Sequence, residues 1–222
     1  MNGEASNRCV VVYHKDCMDG MGAAASARRR FGDRAEYLPL AHGDPIPDLS
    51  DADLYLLDFC WPREQLERQA TVARHITILD HHKSAQAALS GSLPENVEAR
   101  FDMDKSGAVL AWEYFHPDEP LPAILSYIQD RDLWRWELPD SKAVSAALWA
   151  TAADFRDILD LSVEQLKEKG RAILEAQAKD LSALLKKRMT LSIAGYVVPA
   201  VNSPVLVSEL GEVLSDGVPF AA

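Results

Sequence analysis

Three short apolar runs limit the fold of this chain more than any other feature: CVVVY at Cys9–Tyr13, LYLLD at Leu54–Asp58 and HITILD at His75–Asp80. Each reads as a buried strand bounded by polar residues. Between the first two, Gly20 to Phe31 has the pattern of a helix rich in Ala. After the second, Pro62 stands where a first helical turn begins, with Leu66 and Ala70 on one face. Strands separated by stretches long enough for helical crossovers pair in parallel, because a parallel connection must travel back along the sheet. The expected class is α/β, a mostly parallel sheet flanked by helices.

From Ser106 the pattern turns helical. Ser106 is placed to cap a helix carrying Val109, Leu110, Trp112 and Phe115, and Pro120 to Asp130 opens another. Leu166, Ile173, Leu174, Leu181, Leu184 and Leu185 recur near helical spacing, predicting a long linker helix over about Leu161 to Met189. Beyond it, YVVPAV reads as a strand, Ser203-Pro204 opens a helix through Leu214, and VPFAA begins a further strand. The expected organisation is a catalytic domain over 1–160, the linker helix over 161–190, and over 191–222 the start of a second α/β lobe that is cut short. So few elements do not make a stable sheet alone.

Composition narrows the function. The 222 residues are 48% hydrophobic, enough for a substantial core. A formal charge of −11 argues against gripping long duplex nucleic acid, which relies on many Lys and Arg contacts to phosphate. No apolar run reaches the length of a membrane span and no export signal is visible, so the expected setting is the cytoplasm, with no membrane partner. Cys9, Cys17 and Cys60 are too few for a disulfide framework and show no C-x-x-C pairing. All three read as reduced thiols, with Cys17 and Cys60 as bystanders beside more interesting residues.

Those residues follow the strands. His14-Lys15-Asp16-Cys17-Met18-Asp19-Gly20 comes after the first, Asp58 ends the second, Asp80-His81-His82 follows the third, and the helix AILSYIQ ends at Asp130. In an open parallel sheet all the carboxyl ends face one edge, where such folds bind ligands. Carboxylates crowded at one edge repel unless a cation compensates them, and a set of carboxylates and imidazoles suits Mn or Mg better than thiolate-rich zinc sites do. Adjacent His81 and His82 leave the chain in different directions, so one can bind metal while the other faces substrate. Singly placed His42, His75 and His116 receive no role. Gly20, Gly22 and Ala23 to Ala25 admit either a phosphate at a helix N-terminus or tight packing. Trp112 and Trp149 are expected in the core, and Trp134 is open to base stacking.

Taken together, YHKDCMDGMGAA, LLDFCWP, ILDHHKSA and YIQDRDLW resemble the DHH phosphoesterase superfamily, most nearly its nanoRNase and oligoribonuclease-like branch. The resemblance runs strongly from about Val10 to Trp136. It implies two Mn ions, with Mg also suitable, held by His14, Asp16, Asp19, Asp58, His81 and Asp130, with Asp58 bridging. It further implies His82 contacting phosphate or protonating the leaving group, and Asp80 orienting the His pair. Many relatives carry D-x-D in the first motif, whereas two residues separate Asp16 from Asp19 here, and Asp132 competes with Asp130 for the fourth motif. In this class a second lobe offers a basic, glycine-rich surface, and the sequence stops at Ala222 before such an element.

The activity implied is two-metal hydrolysis of phosphoester bonds in short oligonucleotides or small nucleotides, with a homodimer allowed. Alternatives are a nucleoside-bisphosphate phosphatase or pyrophosphatase, and, in another class, a non-hydrolysing metal or nucleotide sensor.

Overall fold

The computed structural model describes residues 8–151 and 154–222. Residues 1–7, read above for an export signal, and the short stretch 152–153 within the first domain lie outside the described residues. In chain order the first half contains β1 (Arg8–His14), α1 (Met18–Phe31), β2 (Ala35–Leu40), β3 (Ala52–Leu57), α2 (Arg63–Ala70), β4 (His75–Asp80), α3 (Lys83–Ala88) and β5 (Val97–Phe101). There follow α4 (Gly107–Phe115), α5 (Ala123–Asp132), α6 (Ser141–Thr151), α7 (Val163–Leu185), β6 (Met189–Ile193), β7 (Tyr196–Ala200) and α8 (Val207–Leu214).

The first five strands form one sheet in the order β2-β1-β3-β4-β5, and every pairing is parallel. The α/β class expected from the apolar runs is what the chain adopts. Alternation along β1 shows why those runs are continuous. Val10 and Val12 face one core with Leu54, Leu56, Ile76, Ile78 and Leu66, while Val11 and Tyr13 face the other with α1, α4, α5 and α6. A strand covered on both sides has no solvent face and so shows no polar alternation.

Two strands, β2 and β5, escaped the sequence reading. Both are edge strands, AEYLPL and VEARF, with polar residues and, in β2, a proline. Edge positions tolerate a missing donor and charged side chains, which removes the signal that marks the central strands.

The chain moves from β1 outward to β2, then crosses back to β3 on the other side of β1. Successive connections therefore part between β1 and β3, leaving a crevice at their carboxyl ends. Residues 14–19 and Asp58 are placed there by topology alone.

The long helix runs over Val163–Leu185, and Met189 belongs instead to β6. β6 and β7 form an antiparallel hairpin turned by Ala194 and Gly195, both at positive φ, the conformation of a two-residue hairpin turn. The amide and carbonyl of Ala222 bond the carbonyl of Pro199 and the amide of Val201, extending this hairpin's hydrogen bonding without a further strand. Among the described residues no helix is long and apolar enough to cross a membrane.

Small residues in α1 serve close helix packing. Ala23 and Ala24 are fully buried, and a Cβ on Gly22 would lie 2.9 Å from the Cβ of Ala108 in α4 and 3.2 Å from Cδ1 of Ile128 in α5. Gly22→Val is expected to cost about 1–3 kcal/mol through overpacking. Urea unfolding should show a lower midpoint with unchanged slope.

Candidate metal centre

Asp58 is the middle of the site. It directly follows β3, its backbone is left-handed (φ 51°), and its N–H donates to the carbonyl of Leu79 on β4. Its side chain is only 2% exposed. Oδ2 lies 3.7 Å from His14 Nδ1, and Oδ1 lies 3.3 Å from His81 Nε2 and 3.8 Å from His82 Nδ1. The carboxylate thus faces the end of β1 with one oxygen and the end of β4 with the other.

His81 Nε2 has three carboxylate oxygens around it: Asp58 at 3.3 Å, Asp132 at 3.4 Å and Asp19 at 3.6 Å. None is in hydrogen-bond geometry, and both His81 Nε2 and Asp58 Oδ2 are buried without a hydrogen-bond partner. Buried polar atoms in folded proteins are ordinarily paired, and an unpaired one costs about 1–3 kcal/mol. Several ligand-type atoms converging without bonding one another are what a bound cation would satisfy. Among the described residues two three-residue groups of suitable atoms meet this description, Asp19 with His81 and Asp132, and His14 with Cys17 and Asp58, beside a third group made of Asp58, Asp80, His81 and His82.

Asp19 and α4 are tied together. Asp19 Oδ2 accepts the N–H of Gly107 at 2.5 Å and Oδ1 that of Ala108 at 2.9 Å. The cap expected from Ser106 is therefore supplied by Asp19, and the Ser106 hydroxyl caps nothing. Gly107 permits this approach: a Cβ there would lie 2.5 Å from the Cβ of Asp58.

Asp80 stands behind the His pair. Its Oδ1 accepts the N–H of His81 at 2.7 Å and of His82 at 3.2 Å, and lies 2.6 Å from His82 Nδ1. That contact fixes the His82 ring and leaves Nε2 as its free nitrogen.

Asp130 stands apart from the other expected ligands. Both its carboxylate oxygens are used within its own segment, accepting the N–H of Glu137 at 2.9 Å and of Leu138 at 3.3 Å. Asp132, two residues on, reaches His81 instead. A helix advances about 100° per residue, so i and i+2 point to different sides. Asp16 joins none of the ligand groups; it is exposed, in a turn at φ 54°. Trp149, expected in the core, is 52% exposed and lines a cavity of about 270 Å³ with Asp16, Cys17, Arg131 and Asp132. Trp112 is buried in the core. Arg131 lies 4.3 Å over the ring of Trp134.

On the other side of His14 a cavity of about 230 Å³ is lined by His42, Phe59, Trp61, Asp80 and His82. His42 stacks on Phe59 with ring centres 5.1 Å apart. No neighbouring motif signals His42 in the sequence; a loop brings it here. His116 is buried against Ser26 and Glu119, and His75 begins β4 at the opposite end of the strand from Asp80.

The electrostatics follow from burial and crowding. Burial, then the charges of Asp58 and Asp132, push the Asp19 carboxyl well above its ordinary value. Burial and Asp58 likewise raise Asp132. Burial works to raise Asp58 too, but His14 and His81 outweigh it and hold it low. His81 is opposed by burial, yet its carboxylate neighbours carry it up to about 9. Contact with Asp80 raises His82, and contact with Asp58 raises His14.

The chain is similar to uncharacterized protein R106 of Acanthamoeba polyphaga mimivirus, with 31% identity over an alignment spanning 95% of this chain. It spans 55% of that protein's length. No family model and no solved structure matches the chain.

His81 binds its proton more tightly folded than unfolded, so its contribution in metal-free protein is fully present below about pH 6.5 and lost as pH rises toward about 9. Thermal melts in chelator should fall across that window, and His81→Asn should flatten the slope. Separately, Asp132→Asn should weaken divalent-ion binding in calorimetry, whereas Asp130→Ala should leave binding and cost about 1–3 kcal/mol of stability through the freed amides of Glu137 and Leu138.

Proposed function

We propose that this chain carries the catalytic domain of a two-metal phosphoesterase of the DHH type, hydrolysing phosphoester bonds in short oligonucleotides or small nucleotides. The observation that carries the reading is the buried Asp58 carboxylate with its two oxygens facing separate sets of ligand-type atoms, Asp58 Oδ2 and His81 Nε2 among them having no hydrogen-bond partner. His14 lies on one side, and His81, Asp19 and Asp132 on the other. The donor set of carboxylates and imidazoles fits Mn, with Mg as a substitute.

Two divalent cations in such a site would supply a nucleophile at neutral pH and counter-charge for the phosphoryl oxygens. The protein's own residues do the rest. Asp19, anchored on the first amides of α4, holds its oxygens rigidly toward His81. Asp80 keeps the proton of His82 on Nδ1 in the neutral ring, so a second proton goes on Nε2. The contact of His82 with Asp80 favours the protonated ring, as a donor to the leaving oxygen requires. The cavities on either side of His14 offer aromatic walls, Phe59 with Trp61 on one side and Trp149 on the other, suited to bases flanking a phosphate. The overall charge of −11 favours small substrates over long duplexes.

The test is hydrolysis, with Mn and with Mg, of dinucleotides, short RNA, cyclic dinucleotides, nucleoside bisphosphate and pyrophosphate. Turnover of the oligonucleotides supports the reading. Preference for bisphosphate or pyrophosphate shifts it within the same chemistry, and metal binding with no turnover of any member moves it to a sensor. Asp58→Asn is expected to abolish metal-dependent turnover. His82→Ala should lower kcat by about 10²–10⁴-fold with bound metal retained, and near-normal turnover by either variant would overturn its assigned role.

A further inference from the structure

The second group at the centre contains a sulfur. Cys17 directly precedes α1, and its Sγ, a ring nitrogen of His14 and a carboxylate oxygen of Asp58 all lie within 4.8 Å of one another. A cysteine beside a cluster is not by itself a site. Here an independent observation points to a ligand: Asp58 Oδ2, the oxygen nearest His14, is buried without a hydrogen-bond partner. Asp16 is exposed in the preceding turn and belongs to no ligand group, so on this side of Asp58 the chain offers sulfur where the other side offers the carboxylates of Asp19 and Asp132.

Cys60 provides the contrast. It is also buried near the site, but its thiol donates to the carbonyl of Trp61 at 3.2 Å and it belongs to no ligand group. That is the behaviour of a packed thiol. Cys17 instead stands among groups that compete for a positive charge.

We propose that Cys17 is a metal ligand, forming with His14 and Asp58 a sulfur, nitrogen and oxygen subsite that differs chemically from the Asp19, Asp58, His81 and Asp132 subsite. The proposal rests on the two-metal reading of the centre. Coordination displaces the thiol proton to water, leaving the thiolate as donor. Thiolate selects borderline and soft ions such as Zn, Co and Cd, whereas the carboxylate-rich subsite suits Mn and Mg. The centre is therefore a mixed one, whose two positions accept different metals.

Titration of the metal-free full chain with Co²⁺ reads this directly, because a thiolate-to-cobalt charge-transfer band in the near ultraviolet reports sulfur ligation whatever the activity. The expected result is a band that saturates with one equivalent, persists in Cys9→Ser and Cys60→Ser, and disappears in Cys17→Ser. Loss of a direct ligand should also weaken Cd²⁺ binding at least about 100-fold, beyond the usual effect of outer partners, with Mn²⁺ binding at the other subsite changed far less. Two equivalents of Co²⁺ bound by the wild-type chain without the band would overturn the thiolate ligand and leave the two-metal reading standing. Absence of divalent-ion binding by the wild-type chain would overturn both.

Discussion

Burying a carboxylate without a hydrogen bond for one of its oxygens is among the least favourable things a fold can do. Asp58 is in that position, and much of the architecture near it is arranged around the consequence. Its left-handed backbone turns the side chain back over the sheet edge, and Gly107 leaves room for it beneath α4. Imidazoles from β1 and from the segment after β4 flank its two oxygens. Strained backbone held by surrounding structure is common where a function requires it.

The supporting residues act by restricting neighbours. Asp80 spends one oxygen on two amides and a ring nitrogen, which fixes the His82 ring beside that of His81, their centres 4.5 Å apart. Asp19 is tied to the amides of Gly107 and Ala108, so the N-terminus of α4 is coupled to α1 through a group that also faces His81. Asp130 organises the segment after α5, and so helps place the Trp134 and Trp136 pair beside Arg131. Packing and chemistry share the same carboxylates here, and residues that look equivalent in sequence divide between the two tasks.

Much of this was legible beforehand wherever a residue's role follows from its position relative to a strand end. The apolar runs marked three central strands, and parallel pairing required His14, Asp19, Asp58 and His81 to share an edge. Edge strands β2 and β5 lacked that pattern because one side of their ladder is open. Trp149 is exposed where the core was expected, because burial of an aromatic depends on what lies opposite, and a helix face in sequence does not say whether anything does.

The α/β class and the set of carboxylates and imidazoles at the carboxyl edge were readable from residue order alone, because unbroken apolar runs mark strands covered on both faces and each polar cluster directly follows such a run. Which members of that set meet is settled by three-dimensional packing. Asp132 rather than Asp130 faces His81, Asp19 rather than Ser106 caps α4, Cys17 rather than Asp16 stands beside His14, and His42 joins the cavity from a distant loop. The reason is directional. Sequence spacing places a side chain within a few ångströms of the crevice, but whether it points inward depends on helix phase, turn conformation and the amides already waiting for its oxygens.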